Sequence, residues 1–210
     1  MNCDPIARWY RWLEYAGFGG ALQRRRLAFL SDVADARRVL LLGEGDGRFL
    51  VELVRQNRSA SIDYVDLSWR MLELARRAGD RVNYRQGDAL VIPLPESEYD
   101  LIITHFFLDC FDAAELTRLI ERVARAARPD ARWLVSEFRE PSAWARAVVR
   151  MLYWFFRITT GLKTSRLADH RLLLEQRGFR LIREERARAG LLASELWSRA
   201  KPELRLEQPC

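Results

Sequence analysis

Residues Val39 to Leu50 read VLLLGEGDGRFL, an apolar run that passes into Gly43, Gly45 and Gly47 and then into a helical segment. Glycines at alternate positions let the backbone turn sharply and let a ligand approach with no Cβ in the way. The first turn of the helix behind them offers N–H groups that have no partner within the helix. The loop is therefore of the nucleotide-binding type. Its spacing is GxGxG, and Arg48, Phe49 and Leu50 stand where the GxGxxG fingerprint would place its third glycine. The chain also lacks GxxxxGK[ST], which excludes a P-loop.

Outward from this loop, short apolar runs alternate with longer amphipathic stretches from Arg38 to Arg128, the pattern of βα units building a parallel sheet. The runs predict strands at Val39–Leu42, Ile62–Val65, Val82–Gln86, Leu101–Thr104 and Trp133–Phe138. Ser68 is placed to cap a helix bearing Met71, Leu72 and Ala75. Asp112 and Glu115 form a capping-box pair ahead of Leu116, Leu119, Ile120 and Val123, in a helix that ends before Pro129. Beyond the fifth strand lies a basic, aromatic helical stretch, Trp144 to Leu162, then a short helix from Asp169 to Arg177 stopped by Gly178. Two runs, Phe179–Glu184 and Leu192–Trp197, flank the turn around Gly190 and are expected to pair antiparallel. Ahead of the sheet, Pro5 to Leu30 reads as one or two helices carrying Trp9, Tyr10, Trp12 and Tyr15, placed either to roof a site at the strand ends or to pack on the sheet.

The expected organisation is one α/β domain of 210 residues: a helical lid over 1–34, a cofactor-binding core over 35–138, a helical insertion over 139–178, a closing hairpin over 179–199 and a tail over 200–210. With 49% hydrophobic and 30% charged residues, the composition is globular, which excludes a disordered chain. The net charge of +6 rests on arginine, since Lys163 and Lys201 are the only lysines. Cys3, Cys110 and Cys210 form no CxxC pair, and with two histidines the chain lacks zinc-ligand spacing, so no metal is expected. The N-terminus has no secretory pattern and no run approaches a membrane span, so a cytoplasmic location is expected, with peripheral contact at the inner face of the membrane as an extension of it.

Two carboxylates follow the glycine loop in order. Asp66 ends the second strand, about 20 residues past the glycines, where it can accept from both ribose hydroxyls. Asp88, in Gln86-Gly87-Asp88-Ala89, ends the third, where it suits an exocyclic amine. Each alone reads first as a turn or a helix cap; in sequence behind the loop they describe a cofactor pocket.

With these features the sequence resembles the class I S-adenosylmethionine-dependent methyltransferases of the small-molecule type, including those of ubiquinone and menaquinone biosynthesis. VLLLGEGDGR resembles their first motif, YVDLS the ribose motif, QGDAL the adenine motif, and YDLIITHFFLDCF the fourth strand with its following loop. The resemblance implies a Rossmann-like three-layer sandwich with a seven-stranded, mostly parallel sheet, and S-adenosylmethionine as cofactor. It implies cofactor contacts at Gly43, Glu44, Gly45 and Gly47, at Asp66 and Leu67, at Asp88 and Ala89, and at Thr104 and His105, which would line the methionine moiety. The family usually carries an acidic residue where this chain has Leu41, so Glu44 or Asp46 is expected to take part of that role.

The loop after the fourth strand lacks the Asn/Asp-Pro-Pro-Tyr/Phe sequence of amino methyltransferases acting on adenine, cytosine or glutamine. A small-molecule acceptor is therefore expected, and no nucleic acid. His105 and Asp109 are the best-placed polar groups to orient or deprotonate it, against the plainer reading of each as a residue that lines the cofactor or structures the loop. On a helix, Ala147, Met151, Trp154, Phe155 and Ile158 share one apolar face, with Arg146, Arg150 and Arg157 beside it. That face is expected either to pack on the domain or to lie on an anionic membrane. Two other readings stand against methyl transfer: a cofactor-binding regulatory or inactive relative, favoured by Leu41, and a nicotinamide oxidoreductase, opposed by the glycine spacing.

Overall fold

The computed structural model describes Asp4, residues 7–161, Thr164 and residues 167–199, with the side chains of residues 8–11 and 13 outside the description. The side chains of Trp9 and Tyr10, together with Cys3, Cys210, both lysines and the tail over 200–210, thus lie outside the description. Two helices, α1 (Ala7–Phe18) and α2 (Ala21–Arg26), lead into β1 (Arg38–Leu42). The units α3 (Arg48–Gln56), β2 (Ser61–Asp66), α4 (Trp69–Ala75), β3 (Val82–Gln86), β4 (Tyr99–His105), α5 (Ala113–Ala126) and β5 (Ala127–Phe138) follow. The chain closes with α6 (Ala143–Thr160), α7 (His170–Gln176), β6 (Phe179–Ala187) and β7 (Leu192–Arg199).

The seven strands form one sheet in the order β3-β2-β1-β4-β5-β7-β6. All neighbours run parallel except β7, which is antiparallel to both β5 and β6. The order reverses between β1 and β4, and in open α/β sheets the crevice at that reversal is where ligands bind. Strand alternation explains why VLLL is apolar throughout. Leu40 and Leu42 pack with α5 and α7 on one face, while Val39 and Leu41 pack with α3 and α4 on the other.

The predicted caps form as expected. Ser68 Oγ accepts from Met71 N at 3.2 Å, and Asp112 and Glu115 make the reciprocal capping box. Strand β5 begins six residues earlier than its apolar run, at Ala127 opposite Tyr99. Pro129 is tolerated there because the register shifts between Tyr99 and Leu101, so its nitrogen is not needed in the ladder. His170 starts α7 but does not cap it. Asp169 accepts from Arg171 N, and the His170 ring bonds Glu195 at 3.0 Å instead.

Helix α6 departs from the expected packing. Its inward side is Ala145, Val149 and Tyr153, whereas Met151, Trp154 and Ile158 are 60–65% exposed. The apolar face seen in the sequence therefore looks outward, and a second apolar face packs on the domain.

Candidate active site

The glycine loop, the tips of β2 and β3 and the turn after β4 enclose a cleft of about 230 Å³. The loop is held in a left-handed conformation at all three glycines, with φ of 59° at Gly43, 84° at Gly45 and 79° at Gly47. A Cβ at Gly43 would lie 2.1 Å from the Phe107 ring, and one at Gly47 would lie 2.5 Å from Ala75 Cα. Both positions therefore need glycine for conformation and for space.

Asp66 sits at the β2 tip with both carboxylate oxygens oriented. Oδ1 accepts from Ser68 N at 2.8 Å and Oδ2 from the Tyr64 hydroxyl at 3.0 Å. Burial pushes this carboxyl up to about 6, against the pull of those two donors. Asp88 is half-buried, and its Oδ1 accepts from Leu90 N at 2.9 Å. Leu67, Ala89, Met71 and Phe111 supply apolar wall between and beside the two carboxylates. Such a pocket can take a hydroxyl-bearing sugar at one tip and an amine-bearing flat ring at the other.

Several residues expected at the cleft point elsewhere. Glu44 is 2% exposed with its carboxylate turned inward, where Oε1 accepts from Phe49 N at the start of α3. Burial pushes that carboxyl up to about 8. Asp46 pairs with Arg48 at 2.8 Å, so neither acid substitutes in the cleft for the acidic residue missing at Leu41. Thr104 is fully buried and its Oγ1 accepts from Trp133 Nε1 at 2.9 Å. His105 is 2% exposed and packs edge-on against Phe49 at 4.6 Å, with no hydrogen-bond partner at either ring nitrogen. Burial, with Arg26 nearby, lowers its pKa well below the ordinary value and keeps the ring neutral.

The reason is the turn after β4. Phe106 takes a left-handed φ of 52°, which ends the strand and swings Phe106 and Phe107 into the cleft while Thr104 and His105 remain in the layers around the sheet. Tyr64, Phe106 and Phe107 were not singled out from the sequence. For Tyr64 the available signal was strand alternation, since it lies two residues before Asp66 and so on the same face.

A second cavity, of about 350 Å³, opens between α1, α2 and α6. Its walls are almost wholly apolar, with Phe18, Leu22, Phe138, Val149 and Tyr153 among them, and Asp109 and Glu14 as its acids. Phe106 and Cys110 line both this cavity and the cleft, so the two spaces meet at the turn after β4. Asp109 lines the apolar cavity, and burial pushes its carboxyl up to about 6. Of the two acids and bases singled out from the sequence, the structure brings Asp109 to this cavity and keeps His105 out of it.

Beneath the loop, Glu14 of α1 pairs with Arg26 of α2 and with Arg48 of α3, and Arg48 pairs in turn with Asp46. The first helix is thus bound electrostatically to the loop that forms the cleft.

Comparison with known proteins agrees with this geometry. Residues 39–130 match the family model of a methyltransferase domain. A demethylmenaquinone methyltransferase of Deinococcus radiodurans is 31% identical over 135 residues, which cover 62% of this chain and 55% of that enzyme. Among solved structures, an S-adenosylmethionine-dependent methyltransferase from Archaeoglobus fulgidus superposes with a TM-score of 0.70 at 16% identity, covering 91% of this chain and all of that one. The Burkholderia thailandensis 1,6-didemethyltoxoflavin-N1-methyltransferase, solved with 1,6-didemethyltoxoflavin and S-adenosylhomocysteine bound, gives a TM-score of 0.68 at 17% identity over 93% of this chain and 85% of that one.

The sheet order and the cleft at its reversal are those of the class I methyltransferase fold. Residues 39–130 carry a methyltransferase domain, and the chain is distantly homologous to the demethylmenaquinone methyltransferases, spanning 49–64% of the length of those it matches.

Proposed function

We propose that the chain transfers a methyl group from S-adenosylmethionine to a small apolar acceptor seated in the cavity between α1, α2 and α6. The observation that carries this reading is the meeting of the polar cleft and the apolar cavity at Phe106 and Cys110. In this reading Asp66 holds the ribose hydroxyls, Asp88 the adenine amine, and the backbone at Gly43 and Gly45 the methionine end. Leu67 and Ala89 pack on the adenosine.

Bound there, the cofactor supplies a methyl group on a sulfonium leaving group that is already activated. The protein then has mainly to align acceptor and methyl carbon, and orientation of this kind contributes roughly 7–11 kcal/mol. Asp109, in the cavity wall, is the group we assign to receive the acceptor's proton. α1 and α2 act as the roof that excludes water. His105 has a supporting place under the loop in this scheme.

An apolar acceptor suggests delivery from a membrane, and the relatives named for demethylmenaquinone point the same way. The outward side of α6 fits that role. Ala147, Met151, Trp154 and Ile158 form an exposed apolar stripe at helical spacing, flanked by exposed Arg146, Arg150 and Arg157. Among the described residues no helix is long and apolar enough to cross a membrane, and the contact we propose is peripheral.

The test is incubation of the purified protein with isotopically labelled S-adenosylmethionine and the soluble and lipid fractions of a bacterial extract, with mass spectrometry of the products. The expected result is a labelled small molecule in the lipid fraction. Cofactor binding without any labelled product would favour the regulatory reading instead.

A further inference from the structure

A third space, of about 220 Å³, lies between the end of β5 and the start of α7. It shares no wall residue with the cofactor cleft, so a molecule held there is out of contact with the methyl donor and is not the acceptor. Four carboxyls stand in its wall, those of Asp109, Glu137, Glu140 and Asp169. Glu137 is 2% exposed, and its Oε1 accepts from the backbone N–H groups of Phe107 at 3.1 Å and Leu108 at 2.8 Å. Its Oε2 is buried with no hydrogen-bond partner. A buried acceptor left unpaired is costly, and in a cavity wall it points to a ligand that enters the cavity.

The cations of the same wall do not answer it. Arg139, Arg171 and His170 reach Glu195 at 3.3, 2.6 and 3.0 Å, and Arg171 reaches Glu184 as well. Their charge is committed to two carboxylates that stand outside the cavity wall. Burial, with Asp109 and Glu195 nearby, raises the Glu137 pKa well above its ordinary value, a penalty that positive charge at Oε2 would relieve.

The wall thus calls for a cation that carries N–H donors. A metal ion fits less well, because it gathers several oxygen ligands around itself, and among the described residues no three acidic, histidine or cysteine side chains converge to hold one. A quaternary ammonium has the charge without a donor, and an alcohol has a donor without the charge. A primary ammonium has both.

We propose that this cavity binds a small primary amine in its ammonium form, held by a charge-assisted hydrogen bond to Glu137 Oε2 in the field of Asp109, Glu140 and Asp169. The site is separate from those of cofactor and acceptor, and it stands whether or not the apolar cavity seats the acceptor.

The protein is saturated with S-adenosylhomocysteine, which keeps amines out of the cofactor cleft, and titrated calorimetrically at neutral pH with n-butylammonium, n-butanol and tetramethylammonium. The first is expected to bind about tenfold tighter than either of the others, or more, the scale of one charge-assisted hydrogen bond. Glu137→Gln keeps an oxygen for Phe107 and Leu108 and puts a donor where Oε2 was, so it should weaken n-butylammonium by a similar factor. Ala168→Phe, at a wall position ahead of α7, fills the cavity and leaves every acid in place, and should weaken it too. A Glu137 that only braced the turn after β4 would give no preference among the probes.

Retained S-adenosylhomocysteine binding is the folding check for both variants. Should one variant fail it, the other decides together with the wild-type preference. Equal wild-type binding of n-butylammonium and either of the other probes overturns the proposal. So does undiminished n-butylammonium binding in a folded Glu137→Gln or Ala168→Phe protein.

Discussion

The hydroxyl of Tyr64 lies 3.0 Å from Oδ2 of Asp66 and 2.7 Å from the carbonyl oxygen of Gly45, so one side chain from β2 ties the second strand tip to the glycine loop. Tyr64→Phe removes both contacts and keeps the buried ring. The expected loss in S-adenosylhomocysteine affinity is about tenfold, or roughly 1 kcal/mol for one net hydrogen bond. Asp66→Ala should lose more, because it strands two ribose hydroxyls at about 1–3 kcal/mol each. Calorimetric titration checks both, and a Tyr64→Phe loss larger than that of Asp66→Ala would reverse the assignment.

The raised pKa of Asp66 gives cofactor affinity a pH dependence with a definite sign. Ribose hydroxyls donate to the carboxylate, so the ionised form is the one that binds. In the free protein that form is lost as pH falls through about 6. Affinity for S-adenosylhomocysteine should be flat above that value and fall below it, approaching about tenfold per pH unit. Asp66→Asn should flatten the profile. A wild-type affinity constant down to the ordinary aspartate range would show that Asp66 does not meet the ribose.

These two predictions concern residues of unequal visibility in the sequence. Asp66 was legible because it ends a strand at a fixed distance behind a glycine loop, and Gly43 and Gly47 because their spacing demands positive φ. Tyr64 was not, since only the folded loop brings Gly45 within reach of its hydroxyl. Glu137 falls inside the fifth strand's run, and its bonds from Phe107 N and Leu108 N, which hold the turn after β4, exist only once the strands are assembled. His105 was misplaced because local pattern does not reveal that the left-handed turn falls at Phe106, one residue later. For α6, periodicity finds apolar positions around most of the helix and cannot decide which side the domain covers.

Glu14 is 8% exposed and Arg26 2% exposed, so the pair that joins α1 to α2 is a buried one. Burial works against ionisation of Glu14, but Arg26 and Arg48 outweigh it and lower its pKa. A depressed carboxylate contributes stability above its unfolded pKa and loses it as pH falls through the folded one. Glu14→Gln should destabilise the protein by about 3 kcal/mol, because breaking a buried pair leaves guanidinium charge uncompensated. Urea unfolding at neutral pH measures this, and the difference between wild type and variant should shrink in acid.

Gly47→Ala tests whether the loop is shaped by its own backbone. The new Cβ would meet Ala75 Cα at 2.5 Å, on a backbone held at φ 79°. Left-handed strain alone costs about 1–3 kcal/mol, and neither a backbone atom of α4 nor the loop can give way cheaply. A fall in unfolding midpoint together with weakened S-adenosylhomocysteine binding is expected. A variant as stable as wild type would mean that α4 does not pack against the loop as described.

The exposed stripe on α6 carries the last prediction. Trp154 and Ile158 are each 65% exposed, and Trp12 of α1, at 67%, is exposed as well. Met151 and Trp154 also border the apolar cavity, so the stripe lies beside its wall rather than on a remote face. A bilayer can cover such a stripe while anionic headgroups meet Arg146, Arg150 and Arg157, each worth about 1 kcal/mol near the surface. The protein should co-sediment with phosphatidylglycerol-containing vesicles at low salt and much less with purely zwitterionic ones. Changing the three arginines together to glutamine should cut vesicle binding by about a hundredfold or more, on that same scale of about 1 kcal/mol per charge. Met151→Ser with Trp154→Ser should weaken it at every salt concentration, since apolar insertion is not screened. Both variants should bind S-adenosylhomocysteine as wild type does, because none of these side chains lines the cofactor cleft. Equal vesicle binding by wild type and the arginine variant would remove the membrane from the acceptor's route and leave the cavity to be filled from solution.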